Sequence, residues 1–132
     1  MDNIIVPPTI HLIVGTIVLL ANLFFLVVVG LLAWQKSALS AVDKAAFILF
    51  QVVLMVQVLI GIKLLDQGLG IFQLYIHYLG GLAPMAFCLL FYWLPTKDGV
   101  KQSRRLAVVA SVSLVFMLLT FVVGSIATAG IG

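Results

Sequence analysis

Charge is what this chain has least of. Lys, Arg, Asp and Glu make up 8% of its 132 residues, against about a quarter in an ordinary soluble domain, while 64% are hydrophobic and the mean hydropathy is +1.33. That balance excludes a soluble globular domain and leaves an integral membrane protein, read as one domain over residues 1–132. Cysteine is nearly absent too. Cys88 stands alone, so there is no intramolecular disulfide, no CxxC or CxxCH, no covalent c-type haem site and no thiolate set for an iron–sulfur cluster. Within its apolar segment Cys88 reads as a small packed hydrophobe. No Lys or Arg precedes the first apolar run, whereas a cleavable signal peptide wants a basic start, so the first helix reads as retained. No Glu, Asp or Arg falls inside an expected helix. No Ser/His/Asp or paired-carboxylate set can then be assembled, and an enzyme is not expected. A transporter is disfavoured as well, since there is no buried charge pair or broken helix pair.

What remains is four long apolar segments. The expected fold is all-α, a membrane four-helix bundle with helices over about 9–34, 45–65, 71–94 and 106–127. Pro7-Pro8 and Thr9 form a plausible helix start. Gln35, Lys36, Ser37, Ser40, Asp43 and Lys44 form a first loop, Asp66-Gln67-Gly68-Leu69-Gly70 a tight glycine-rich turn, and 96–105 the most charged stretch. The formal charge of +3 is not a nucleic-acid signal, because the bases sit in loops and set topology. Lys36, Lys44, Lys97, Lys101, Arg104 and Arg105 flank loops one and three, and only Lys63 lies opposite. The positive-inside rule puts those loops in the cytoplasm of a bacterial-type plasma membrane and both termini outside. Trp34, Tyr92 and Trp93 then form an aromatic belt at the inner interface. A quinone there is possible but has no motif behind it.

In this topology the only two histidines become informative. His11 opens the first segment, in Ile10-His11-Leu12-Ile13-Val14-Gly15. His77 opens the third, in Ile76-His77-Tyr78-Leu79-Gly80-Gly81. Both helices enter from outside, so both imidazoles fall in the outer leaflet. Each is followed four residues later by glycine, one turn on along the same face. A macrocycle lying against a helix needs such a bare patch beside its axial ligand. His11 and His77 are therefore the expected metal ligands of a haem, with Gly15, Gly80 and Gly81 as small surface against the ring. Gln57, Lys63, Gln67 and Gln73 lie toward the outer end as candidate partners for the propionates. Lys63 is the sharpest of them, although a snorkelling side chain capping helix two explains it equally well. The bland account of the histidines is a bond to a carbonyl or a Ser/Thr, or a place among headgroups. Ionisable groups within membrane helices are functional hypotheses by default. A bare zinc site is disfavoured, because two ligands are too few.

Two further patterns are weaker. Pro84 lies within helix three and crowds Gly80, where a kink would open space below His77. Gln57-x-x-x-Gly61 is echoed by Thr120-x-x-x-Gly124, as Ile-His-x-x-x-Gly is repeated in helices one and three. That is the trace of a duplicated hairpin with one ligand from each half. Gly15, Gly30, Gly61 and Gly124 also suit close helix contact.

These residues resemble one four-helix half of the haem A synthase family. The matching features are the helix-one histidine, Ala33-Trp34-Gln35-Lys36, Val56-Gln57-Val58-Leu59-Ile60-Gly61, the helix-three histidine and the interval between the histidines, over about residues 10–95. The resemblance implies a bundle whose first and third helices carry outer-side histidines able to hold a haem. The catalytic half of that family has a glutamate three residues before the first histidine, where this chain has Pro8. An arginine often follows that histidine, where this chain has Leu12. The cysteine-bearing outer loops and a second half are also missing, so the ligand roles carry over to His11 and His77 and the hydroxylase activity does not.

The expectation is a membrane protein holding one b-type haem near the outer face by two histidines and passing single electrons. It would do so in or beside a larger respiratory or photosynthetic complex, or as a homodimer. The rival expectation is a cofactor-free accessory subunit of a larger membrane complex, bound to lipid.

Overall fold

The computed structural model describes residues 3–69 and 75–129. Four helices follow in order: α1 (Pro8–Trp34), α2 (Ala41–Asp66), α3 (Tyr75–Trp93) and α4 (Gly99–Ala129). Each is long and apolar enough to cross a membrane. They form a four-helix bundle in which α1 packs on α2 and α4, and α3 packs on α4. Helices α2 and α3 touch little, and α1 and α3 stand diagonally. The starts of α1 and α3 and the end of α4 therefore share one end of the bundle, and the flanks of the first and third connections share the other.

Two helices begin earlier than the hydropathy indicates. Helix α2 starts at Ala41 rather than near 45, because Ser40 and Asp43 cap each other: Asp43 N–H donates to Ser40 Oγ at 3.2 Å and Ser40 N–H to Asp43 Oδ2 at 2.8 Å. Helix α4 starts at Gly99 rather than near 106, because Asp98 Oδ1 accepts from the N–H groups of Val100 and Lys101 at 3.0 and 3.2 Å. Lys, Arg and Gln are good helix formers, so polarity marks where the apolar run stops and not where the helix ends. As a result Asp43 and Asp66 lie in the end turns of α2, and Arg104 and Arg105 lie inside α4. The expectation of no Asp or Arg within a helix was wrong. The start expected for helix three near residue 71, Gly70 of the turn and Gln73 lie outside the described residues.

Helices α1 and α2 end in the same way. At the end of α1, Lys36 N–H reaches Ala33 O at 3.3 Å and Ser37 N–H reaches Leu32 O at 2.9 Å. At the end of α2, Gly68 N–H reaches Leu65 O and Leu69 N–H reaches Leu64 O, both at 3.0 Å. This Schellman closure needs a left-handed residue, Gly68 (φ 74°) in one case and Lys36 (φ 54°) in the other. A β-carbon in that region costs about 1–2 kcal/mol. Lys36→Gly should therefore raise stability by about 1 kcal/mol in a thermal or denaturant melt in detergent. An unchanged or lowered midpoint would show that position 36 is not strained.

The core proper fills the half of the bundle nearest the basic residues. Val18, Phe25 and Val29 of α1 meet Phe47, Phe50 and Leu54 of α2, Cys88 of α3, and Leu106, Ala110 and Met117 of α4. Phe25 stacks on Phe47 and Phe50 with ring centroids 5.6 and 5.9 Å apart. Pro84 is buried inside α3. The other half of the bundle holds His11, His77, Gln57 and Thr120.

Candidate cofactor site

His11 lies in the first turn of α1 and His77 in the first described turn of α3. These helices are diagonal, so their side chains meet only across the bundle centre. They do: the imidazole centroids are 6.0 Å apart with the rings inclined at 66°. Sequence could place the two rings in one half of the bundle. Their facing one another depends on helix rotation, which apolar patterning cannot give when every face is apolar.

Each ring sits on a glycine of its own hairpin partner. A β-carbon on Gly61 would fall 3.2 Å from His11 Cε1. One on Gly124 would fall 2.9 Å from His77 Cε1 and 3.0 Å from its Nδ1. The reverse pairing occurs one turn deeper, where Gln57 Nε2 lies 2.8 Å from a β-carbon built on Gly15 and Thr120 Oγ1 covers Gly80. Gly81 is in ordinary contact with Thr120 Cγ2 at 3.8 Å. So the patches at Gly15 and Gly80, expected to face a macrocycle, instead receive Gln57 and Thr120. The repeat noticed in sequence is an interlock made twice, α1 with α2 and α3 with α4. Gly30, expected at a close helix contact, has nothing within 4 Å of a built β-carbon and makes none.

The polar atoms around the rings are unevenly satisfied. His77 Nδ1 lies 2.9 Å from Thr120 O. A carbonyl only accepts, so Nδ1 carries the hydrogen and the neutral ring keeps its lone pair on Nε2, the arrangement of a metal-ligating histidine. The bland reading, a carbonyl partner, is met at His77 by the same bond. His11 differs: its Nδ1 is buried with no partner among the described residues. Gln57 Nε2 donates to His11 O at 3.0 Å, while Gln57 Oε1 and Thr120 Oγ1 are also buried and unpartnered. Such orphans cost about 1–3 kcal/mol each in a closed protein interior. Two of the three, Gln57 Oε1 and Thr120 Oγ1, belong to side chains that lie one turn from the imidazoles, and the third is on His11 itself.

The other sequence candidates are engaged elsewhere. Lys63 Nζ pairs with Asp66 Oδ2 at 2.6 Å within α2. Gln67 grips the N-terminal segment, accepting from Val6 N–H at 2.7 Å and donating to Val6 O at 2.9 Å. Sequence reading gave Gly61, Gly124 and Thr120 no place in the site, although the antiparallel register of His-x-x-x-Gly against Gln-x-x-x-Gly carries that signal. It also passed over Asn22 and Ser113, both fully buried deeper in the bundle, where Asn22 Nδ2 approaches Met117 Sδ at 3.5 Å.

The separation of the rings is that of an ordinary edge-to-face pair, and it equals the spacing that two imidazoles would have if they held one metal. A metal–imidazole bond is about 2.0 Å, and a ring nitrogen lies about 1.1 Å from its centroid, which puts trans imidazoles about 6 Å apart centre to centre. Each ring turns freely about its metal bond, so an inclination of 66° is no obstacle. No group of three or more His, Cys, Asp or Glu forms among the described residues. A porphyrin, which brings four in-plane nitrogens, asks only for two axial ligands. Comparison with protein-family models, with curated proteins and with solved structures returns no match.

Proposed function

We propose that His11 and His77 are the axial ligands of one b-type haem, and that the chain is a multi-pass membrane protein that passes single electrons. The observation that carries the reading is the 6.0 Å approach of the two imidazoles from diagonal helices, each ring seated on a glycine. The Thr120 carbonyl on His77 Nδ1 supports it, by orienting Nε2 as the ligating atom. A haem with two imidazole ligands is low-spin and exchanges one electron with little rearrangement, which favours electron transfer over oxygen chemistry or catalysis. Around it the chain's own residues hold the two rings. Gln57 is a polar partner beside His11, and Lys63 at the same end would share its ammonium between Asp66 and a propionate.

The distribution of bases supports a bacterial-type plasma membrane with both termini on the outer side, and so a haem near the outer face. One haem in one leaflet cannot carry an electron across the bilayer. The reading therefore includes a partner, a larger respiratory or photosynthetic complex or a second copy of the chain. A second reading, a cofactor-free accessory subunit, is favoured by one observation: Gln57 and Thr120 already cover the glycine patches. The protein made with ample haem and purified in detergent decides between them. A sharp low-spin b-type band in the reduced-minus-oxidised spectrum, at about one haem per chain, is the expected result. A featureless spectrum would overturn the haem reading in favour of the second.

A further inference from the structure

The loosely packed seam between α2 and α3 contains two cavities in the half of the bundle away from the histidines. One, of about 300 Å³, opens at the basic end, with Lys44, Ile48, Tyr92, Pro95 and Arg105 in its wall. The other, of about 310 Å³, runs deeper between Ile48, Val52, Met55, Met85 and Leu89. Ile48 and Tyr92 line both, so the two cavities adjoin end to end along a groove in the side of the bundle, divided at the Ile48 and Tyr92 side chains.

Its chemistry changes along its length. At the mouth are two cations, with no carboxylate in the wall among the described residues. Arg105 is steadied there by donating Nη1 to Leu94 O. Below the mouth the wall is apolar but for Gln51 and Tyr92, which are hydrogen-bonded to each other. Gln51 Nε2 donates to Tyr92 Oη at 2.9 Å and to Phe47 O at 3.2 Å, which uses both its hydrogens. From Lys44 to Met55 the helix rises about 16 Å, half of a hydrocarbon layer of about 30 Å. Together the two cavities span the depth of one leaflet, with positive charge where a headgroup phosphate would lie.

We propose that this groove is a binding site for one anionic phospholipid, its phosphate between Lys44 and Arg105 and one acyl chain laid along Ile48, Val52 and Leu89. The site is independent of the haem and needs only that the bundle lie in a membrane. Bases near a lipid surface act additively, so removing both should weaken retention roughly thirtyfold.

The test is native mass spectrometry of the purified full chain, titrated with phosphatidylglycerol or phosphatidylcholine in detergent. The expected result is a one-to-one complex with phosphatidylglycerol that survives where the phosphatidylcholine complex dissociates. It should be lost in the Lys44→Gln/Arg105→Gln double variant and unchanged in Lys97→Gln/Lys101→Gln, which removes the same charge at the same end. Val52→Trp, which fills the groove and leaves the bases in place, should lose it too. Equal loss in the two double variants would reduce the effect to general surface charge and overturn the site. Equal retention of phosphatidylcholine, or a co-purifying quinone displaced by Val52→Trp, would also overturn it.

Discussion

His77→Ala is expected to abolish the low-spin haem band, with occupancy falling at least tenfold, and His11→Ala to do the same. Each ring supplies one of only two protein ligands. Loss of either leaves at most a five-coordinate iron, whose spectrum differs from that of the bis-imidazole form. Exogenous imidazole should restore the band in both variants by entering the vacated space, which separates a missing ligand from a collapsed fold. The two variants should part company in stability. His77→Ala removes the extra bond on Thr120 O, a carbonyl that keeps its own place in the helix ladder, and should cost about 0.5–1.5 kcal/mol. His11 Nδ1 has no partner to leave behind, so His11→Ala should cost less. A haem band that persists in either variant would remove that histidine from the ligand set. Equal stability losses would mean that the His77–Thr120 bond contributes nothing to the fold.

Gly80→Ala should destabilise the bundle by about 2 kcal/mol, the usual scale of overpacking. The added carbon collides with Thr120 Oγ1 and lies 3.4 Å from Phe116 O. Neither neighbour yields easily, since one belongs to a β-branched side chain with a stiff χ1 and the other is backbone. Pro84, four residues on, supplies no N–H to the Gly80 carbonyl and crowds it, so the local helix has little freedom to adjust. Helix α3 must then move off α4. Thr120→Ala removes the obstructing atom, so the double variant should recover half the loss or more, a coupling that additive effects do not produce. Gly30→Ala is the control: it meets nothing within 4 Å, and its helix propensity should leave stability equal or about 0.5–1 kcal/mol higher. Melting curves in detergent read all four proteins. A Gly80→Ala protein as stable as the Gly30→Ala one would show that the α3–α4 contact is not tight.

The number of helices was legible because each coincides with a sustained apolar run, long enough to cross a membrane and bounded by polar residues. Their starts were not. Ser40, Asp43 and Asp98 read as loop because they are polar, yet they are polar because they cap. The shared depth of His11 and His77 followed from chain direction alone. The cradle did not, because a glycine in an apolar run reads alike whether it receives an imidazole, as Gly61 and Gly124 do, or nothing, as Gly30 does. The repeat was faint for a physical reason. Gln57 and Thr120 fill equivalent sockets with different side chains, since a socket over glycine selects for size and reach more than for identity. Lys63 looked like the one outer base available to a ligand because its acid, Asp66, was assigned to the following turn.

The interlock of each hairpin is also a mechanical element. Each helix carries a protrusion and a notch one turn apart, and its partner carries the same two in the opposite sense. Sliding either helix by a single residue, about 1.5 Å, would carry the imidazole of His11 off Gly61 toward the side chains three or four residues along the same face, and at the same moment lift Gln57 from Gly15. The two contacts resist displacement in both directions along the axis, as a keyed shaft does. Longitudinal shear within a hairpin is therefore stiff at the histidine end, and the compliant motion left to the bundle is an opening of the α2–α3 seam about the α1–α4 contact.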